Sequence, residues 1–553
     1  MQRGDGLKNP KKEGEVMLTN LTIKNFRCLE DVDVPLGPLV AFVGPNGTGK
    51  TTILRAIDLV LGDAWPSLRS FRIPQDFTEF DTTREISIIV SFNPPYIHTD
   101  TLSKDYEINA LRLSCKPYKR SGKWGEVGDL HVDFEPINGE GKVPNVATTQ
   151  RRKGEKTLFS PLRVGNEMRD HARVLFIDHR RSLAQHYPSI RGSILGRLLQ
   201  SARKSFDPEG GFKEAYEKAM DFLRTSEVKE IEEVVESTAR RMLGFLGTDV
   251  AKSVQISFGF ADPANPFNSL RLQYWEAGLT IPGEELGLGI QSAIVIGIFE
   301  AFRQIEEDIG TVVIEEPEMY LHPQAQRYFF KLLCELTERN QCQVIYSTHS
   351  PIFADVNKFE SLRLVRRANK ETSIVYVKGD DSSTLEKERD KYKISNRFDS
   401  TKNELLFSNG AILVEGYGDR IAVNILAEKL DIDLDEKGIA VIECGGKGGI
   451  PLFVKVCKAL NIPFKVVYDE DSGEDSRNAT IREAIGNKED CHYIIRPSLE
   501  RVLGIESDRD KPMRIARELE NKRLDELPDG IKPFLYAIES LCKELSNNDK
   551  EKS

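Results

Sequence analysis

An apolar run, Leu39–Val43, leads directly into Gly-Pro-Asn-Gly-Thr-Gly-Lys-Thr at Gly44–Thr51. The next residues carry Ile53, Leu54, Ile57 and Val60 at helical spacing up to Leu61. Strand, glycine turn and helix in that succession commit this part of the chain to an α/β sheet with a phosphate-sized cradle at the strand end. Gly44, Gly47 and Gly49 let the backbone curl so that its N–H groups converge, with Asn46 in the turn. Lys50 is placed to reach the β- and γ-phosphates of ATP, and Thr51, followed by Thr52, to hold Mg²⁺.

Three later segments extend this reading. Thr311–Glu318 (TVVIEEPE) is an apolar strand ending in paired acids, with Glu315 expected in the Mg²⁺ sphere and Glu316 expected to orient or deprotonate the attacking water. An acidic turn alone does not account for its continuation into PEMYLHPQAQ and a second apolar strand ending in Ser347–Pro351 (STHSP). That succession resembles the Walker B, D-loop and H-loop of ABC-type ATPases, as in SMC and RecF-like heads. The resemblance implies that His349 contacts the γ-phosphate; taken alone, it reads as a loop histidine. Leu286–Gln291 (LGLGIQ) resembles the ABC signature, in which Gly287 and Gly289 bind ATP held by a second head, so a homodimer or tetramer is implied. Gln75 in RIPQDF is the candidate Q-loop residue. Glu315 stands where the family more often has Asp, a longer ligand arm expected to slow turnover.

A second, acidic set follows in VEGYGD and YDED. Glu415 lies at a strand end, Asp419 in the next helical turn, and Asp469 and Asp471 at the end of another strand. In an extended run alternate residues share a side, so Asp469 and Asp471 are expected to converge while Glu470 turns away. Carboxylates gathered in this way repel unless a divalent cation sits among them, and oxygen-only ligands favour Mg²⁺, Mn²⁺ or Ca²⁺ over zinc. The E…D…DxD pattern resembles the Toprim domain. An ABC-type ATPase followed by Toprim resembles the OLD (overcoming lysogenization defect) family, which includes the nuclease subunit of Gabija-type phage defence. The likeness covers nearly all the chain after residue 17. It implies that Glu415, Asp419, Asp469 and Asp471 hold one metal, that Ser498 and Glu500 help to hold a second, and that Lys511 steadies charge on the scissile phosphate. Two Mg²⁺ or Mn²⁺ about 4 Å apart are the expected apparatus of phosphodiester cleavage. A helix start explains Ser498 and Glu500 as well, and a surface lysine explains Lys511. Lys447, in the glycine run Cys444–Gly449, is available for a phosphate.

At 553 residues the chain is too long for one core. The expected architecture is α/β: an ABC/SMC-RecF-like P-loop ATPase domain with an inserted helical dimerisation subdomain, then a Toprim α/β domain and a helical C-terminus. The expected boundaries are a disordered leader at 1–16, ATPase at 17–190 and 251–380, helical insertion at 191–250, linker at 381–405, Toprim at 406–505 and a helical segment at 506–553. Residues 136–156 read as a loop, and 546–553 as a disordered tail. No run approaches the roughly 18 apolar residues of a membrane span, and the start has no apolar signal core, so a cytoplasmic location is expected. Eight scattered cysteines without CxxC pairs argue against zinc and disulfides.

The net charge of −10 does not point to nucleic acid, but metal-binding acids contribute to it. The basic clusters Lys119–Lys123, Arg151–Lys153 and Arg180 with Arg181 read as solvated surface. The leading expectation is a nucleotide-regulated, metal-dependent DNA endonuclease, with a helicase or other defence-system partner implied by the family. The alternative is an ATP-driven DNA-sensing module with a non-cutting Toprim domain. SMC-like repair lacks its coiled-coil arms here, and a topoisomerase lacks its tyrosine domain.

Overall fold

The computed structural model describes residues 16–117, 130–149, 158–190, 193–199, 226–244, 256–259, 270–276, 279–305, 310–338, 342–368, 371–378, 401–471, 476–486, 489–505 and 510–551. The leader, the basic clusters at 119–123 and 151–153, most of the helical insertion and most of the linker lie outside the described residues. The chain divides into two compact units, Met1–Val40 with Gly49–Thr348, and Ala41–Thr48 with His349–Ser553.

In the first unit, five antiparallel strands run in the order Leu29–Pro35, Met17–Phe26, Ile86–Thr99, Asp105–Pro117, Leu130–Ile137. The strand from Ile86 continues through Asn93-Pro94-Pro95, where the register to its neighbour shifts between Ser91 and Tyr96. Prolines that cannot donate interrupt the ladder there without ending the strand. Parallel strands Val174–Ile177, Thr311–Glu315 and Gln343–Thr348 form a second layer, with Thr311 opposite both Val174 and Gln343. The helix Lys50–Leu61 packs against strands of both layers, which is why Ala56, Leu59 and Leu61 are buried along with the stripe seen in the sequence. Helix Leu288–Ile305 is buried from Gln291 to Phe302, with Leu288 and Gln304 exposed near its ends, and packs on helix Ser226–Leu243. A Cβ on Gly297 would come within 2.9 Å of the Val235 carbonyl oxygen, so glycine permits that close approach. The 136–156 segment is not all loop: Asn145–Thr149 pairs with Leu158–Pro161 in a two-stranded ladder.

In the second unit, Leu362–Ala368 pairs in parallel with Ala41–Val43 and antiparallel with Glu371–Val375. Four parallel strands follow in the order Ile439–Glu443, Gly410–Val414, Phe464–Asp469, His492–Ile495. Their core contains Ile412, Val414, Val467 and Ile495, together with Leu426 of helix Tyr417–Lys429, Ile515 of helix Lys511–Glu520, and Phe534, Ile538 and Leu541 of helix Lys532–Glu551. The last helix runs to Glu551, correcting the expectation of disorder from 546 onward; the apolar stripe it buries on the sheet anchors it. All eight cysteines are free thiols. Among the described residues no helix is long and apolar enough to cross a membrane.

Candidate functional site

Two sites form at strand ends, one in each mode of charge. At the glycine loop Gly44 has φ 154, and a Cβ there would lie 2.2 Å from the Val365 carbonyl oxygen. Gly47 has φ 77 with nothing within 4 Å of its missing side chain, the open cradle a phosphate requires. Thr48 Oγ1 donates to the Pro45 carbonyl at 3.0 Å, and Thr372 Oγ1 donates to the Thr48 carbonyl at 3.0 Å, so the loop is held from both sides. Asn46 and Thr51 are exposed at its rim, and Thr52 is buried behind them. Gly49, left-handed at φ 109, caps the helix that begins at Lys50. Lys50 is only 4% exposed. Burial lowers its pKa to about 8, against the opposing pull of Glu316 and Glu318.

Glu315 ends its strand buried, and its Oε2 lies 2.8 Å from His179 Nδ1. Glu316 takes a left-handed conformation at φ 46, and its N–H donates to the Ser347 carbonyl at 3.0 Å. Arg181, expected on the solvated surface, is instead 1% exposed, its guanidinium donating to the carbonyls of Glu316 and Met319. Burial of this cation is costly and lowers its pKa to about 10, a cost that the two carbonyl bonds and the nearby Glu318 and Glu316 charges partly offset. Gly287 has open space before it, and a Cβ on Gly289 would lie 3.2 Å from the Tyr320 carbonyl oxygen. His349 follows its strand half-buried, and Gln75 is exposed beside the buried Asp76, which pairs with Arg27.

At the second site the chain steps from strand Gly410–Val414 to one neighbour and then crosses to the other, so Glu415 and Asp469 meet at the switch point of a parallel sheet. Glu415 Oε1 accepts the Asp469 N–H at 2.7 Å, and Asp469 Oδ1 accepts the Leu499 N–H at 3.1 Å. Asp419 Oδ2 accepts the Gly416 N–H at 3.0 Å. Burial, then the charges of Asp419 and Glu415, raise the Asp469 carboxyl to about 8. Burial and the charges of Glu415 and Glu500 raise that of Asp419 to about 7. Asp471 departs from the extended alternation: at φ 59 its backbone is left-handed, and Lys447 Nζ holds its Oδ2 at 2.6 Å. Lys447 itself is buried and also lies 4.0 Å from Glu415, so it is spent on acids rather than open to a phosphate. Ser498 caps helix Leu499–Val502 without a side-chain bond to it, and Glu500 pairs with Lys511 at 3.7 Å.

Among the described residues no three Asp, Glu, His or Cys side chains are drawn into a ready-made metal cage. The crowded acids nevertheless suit a divalent cation, because only added positive charge lets Asp469, Asp419 and Glu415 ionise together near neutral pH. His179 escaped the sequence reading, and Arg181 was read there as solvated surface. The Asp178-His179-Arg180-Arg181 quartet after an apolar strand was visible, but its partners lie far along the chain.

Residues 17–140 and 173–354 match the AAA ATPase domain family, and residues 406–471 match the overcoming lysogenization defect protein-like TOPRIM domain. The chain is 56% identical over 551 residues to an OLD nuclease of Thermus scotoductus, covering 96% of this chain and 100% of that one. It is 22% identical to the Old nuclease of Escherichia phage P2 over 82% of this chain and 77% of the relative. With an endonuclease GajA of Bacillus cereus it shares 21% identity over 92% of this chain and 84% of the relative. An ATPase domain placed before a Toprim domain, and a full-length relative at this identity, make the chain a member of the OLD nuclease family.

Proposed function

We propose that this enzyme is a nucleotide-regulated, divalent-metal-dependent endonuclease that cuts DNA in the cytoplasm as part of antiphage defence. Its ATPase domain spans 17–190 and 251–380, interrupted by the helical insertion 191–250, and homodimers or tetramers form through the ATPase heads and this insertion. Nuclease chemistry resides at 406–505, after the linker, with the 506–553 segment supplying Lys511. A helicase or other defence-system protein is the proposed partner. The observation that carries the cutting reading is the crowding of Asp469, Asp419 and Glu415 at neighbouring strand ends, with two carboxyls pushed up to about 8 and about 7.

Glu415, Asp419, Asp469 and Asp471 would hold one Mg²⁺ or Mn²⁺, and Ser498 and Glu500 would help to hold another. When bound, these cations supply the activation of water and the stabilisation of the leaving oxygen. The chain itself does the rest. The Asp469 N–H fixes Glu415, the Leu499 N–H fixes Asp469, and the Lys511 ammonium is held by Glu500 at the edge of the acids, where a phosphodiester would sit. At the ATPase site Lys50 and the loop N–H groups bind the phosphates, Thr51 and Glu315 hold Mg²⁺, and Glu316 orients water. Gly287, Gly289 and His349 complete the site around ATP, and Gln75 senses its Mg²⁺.

The test incubates supercoiled plasmid with the protein and Mg²⁺ or Mn²⁺, with and without ATP. Nicking or linearisation is expected, is lost in Asp469→Ala, and changes with nucleotide except in Lys50→Ala. Intact plasmid in every lane beside active ATP hydrolysis would replace this reading with an ATP-driven DNA-sensing module.

A further inference from the structure

Arg181 is among the largest fully buried side chains described, and it lies on no element that the nucleotide motifs occupy. Buried arginines are rare unless paired, and this one is spent on main-chain oxygens: Nη1 donates to the Met319 carbonyl at 3.1 Å and Nη2 to that of Glu316. Both carbonyls belong to the turn that presents the Glu316 carboxylate, a turn that Glu316 enters in a left-handed conformation. A planar fork that grips two carbonyls fixes the peptide planes around it, and with them the direction in which the Glu316 side chain leaves the chain. Two residues earlier, His179 holds the other acid, Glu315, by its carboxylate.

The same short segment is tied to the signature loop at its other end. The Leu183 N–H donates to Gln291 Oε1 at 3.1 Å, and Gln291 Nε2 donates to the carbonyls of Glu284 at 3.1 Å and Leu286 at 2.8 Å. The Tyr187 hydroxyl donates to the Glu284 carboxylate. Gln291 is buried, so its amide has both its acceptor and its donor committed to this link.

We propose that the segment from Asp178 to Tyr187 is a strap that positions Glu315 and Glu316 for ATP hydrolysis and joins them to the signature loop, with Arg181 as its positioning residue. This rests on the reading of Glu315 and Glu316 as the hydrolytic pair. A rearrangement of the turn as nucleotide binds or is hydrolysed then reaches Glu284–Leu286 within ten residues of chain, and with it the loop that a second head would meet.

The experiment measures steady-state ATP hydrolysis, affinity for a fluorescent ATP analogue and thermal melting for the full chain carrying Arg181→Lys, His179→Ala or Gln291→Met. Arg181→Lys keeps the charge and loses the fork; kcat is expected to fall about 10–100-fold while KM and nucleotide affinity stay within about threefold. His179→Ala, at a side chain 42% exposed and safe for folding, is expected to raise several-fold the Mg²⁺ concentration for half-maximal hydrolysis. Gln291→Met is expected to lower kcat with nucleotide affinity unchanged. Wild-type kcat in Arg181→Lys, or parallel loss of kcat and nucleotide affinity, overturns the proposal. Should Arg181→Lys fail to fold, an unchanged Mg²⁺ requirement in His179→Ala overturns it instead. Full activity in Gln291→Met removes the link to the signature loop. Glu316→Gln separates the two levels: if it hydrolyses ATP normally, the underlying site reading fails, whereas an inactive Glu316→Gln beside a fully active Arg181→Lys sinks the strap alone.

Discussion

The glycine loop and the acidic crevice are both built at the ends of parallel strands, yet they handle charge in opposite ways. The first buries one cation, Lys50, and lowers its pKa to about 8 in a cradle otherwise made of backbone. The second buries anions against one another and raises Asp469 to about 8 and Asp419 to about 7. A pre-placed cation next to open N–H groups is ready for phosphates as it stands. Crowded acids are incomplete until positive charge arrives. The nucleotide site is therefore organised by the chain alone, and the crevice by chain and cation together.

The sharpest break of that comparison is a crossed pair of variants. Lys50→Ala is expected to lose ATP hydrolysis and Asp469→Ala to lose DNA cutting, each on the order of 10²–10³-fold, with metal-supported fold stability altered only in Asp469→Ala. Plasmid nicking, phosphate release and melting with and without Mn²⁺ read all three. Next in size is Gly44→Ala. Its added methyl meets the Val365 carbonyl oxygen at 2.2 Å, so denaturant unfolding should register a loss of about 1–3 kcal/mol together with weaker nucleotide binding. Gly47→Ala has open space before it but keeps the positive φ, and is expected to cost less.

A smaller effect separates the sites by pH. Asp469 and Asp419 keep protons in the folded state where the unfolded chain has lost them, because their values rise from 3.8 to about 8 and about 7. Their contribution to stability is full below the unfolded value and drains away as pH climbs through 7 and 8. Metal-free protein should melt at falling temperature across that window, and the rise in melting temperature produced by Mn²⁺ should grow with pH. A metal effect that is flat between pH 5 and pH 8 would deny that these acids are the ligands. The smallest change is expected of Ser498→Ala, which loses no capping bond; nicking should fall less than about tenfold, with the Mn²⁺ requirement moved slightly upward.

Legibility in the sequence followed the same divide. The glycine loop is a local pattern, and strand Leu39–Val43 and the helix from Lys50 stand where their spacing placed them. Glu415 and Asp469 were legible as strand ends because apolar runs stop there. Their direct bond was not, since it depends on which strand lies beside which. Asp471 misled because alternation holds only while the backbone stays extended, and the strand stops at Asp469. Lys447, read as available for a phosphate, and Arg181, read as solvated, were misplaced for one reason: a basic residue looks open until the fold supplies acids or main-chain carbonyls around it. Residues 145–149, in a stretch rich in turn formers, still found a strand partner in 158–161, which no local propensity specifies.

Phe534, Ile538 and Leu541 sit in the same core as strand Gly410–Val414, which leads into Glu415, so helix Lys532–Glu551 is one wall of the sheet that shapes the crevice. During synthesis, the acids at 415, 419 and 469 leave the ribosome well before that wall exists. Without that helix, Phe534, Ile538 and Leu541 are missing from the core behind strands Gly410–Val414 and Phe464–Asp469. Order of translation thus places the wall of this crevice last, and the core around Ile412, Val414 and Val467 closes only as helix Lys532–Glu551 is added.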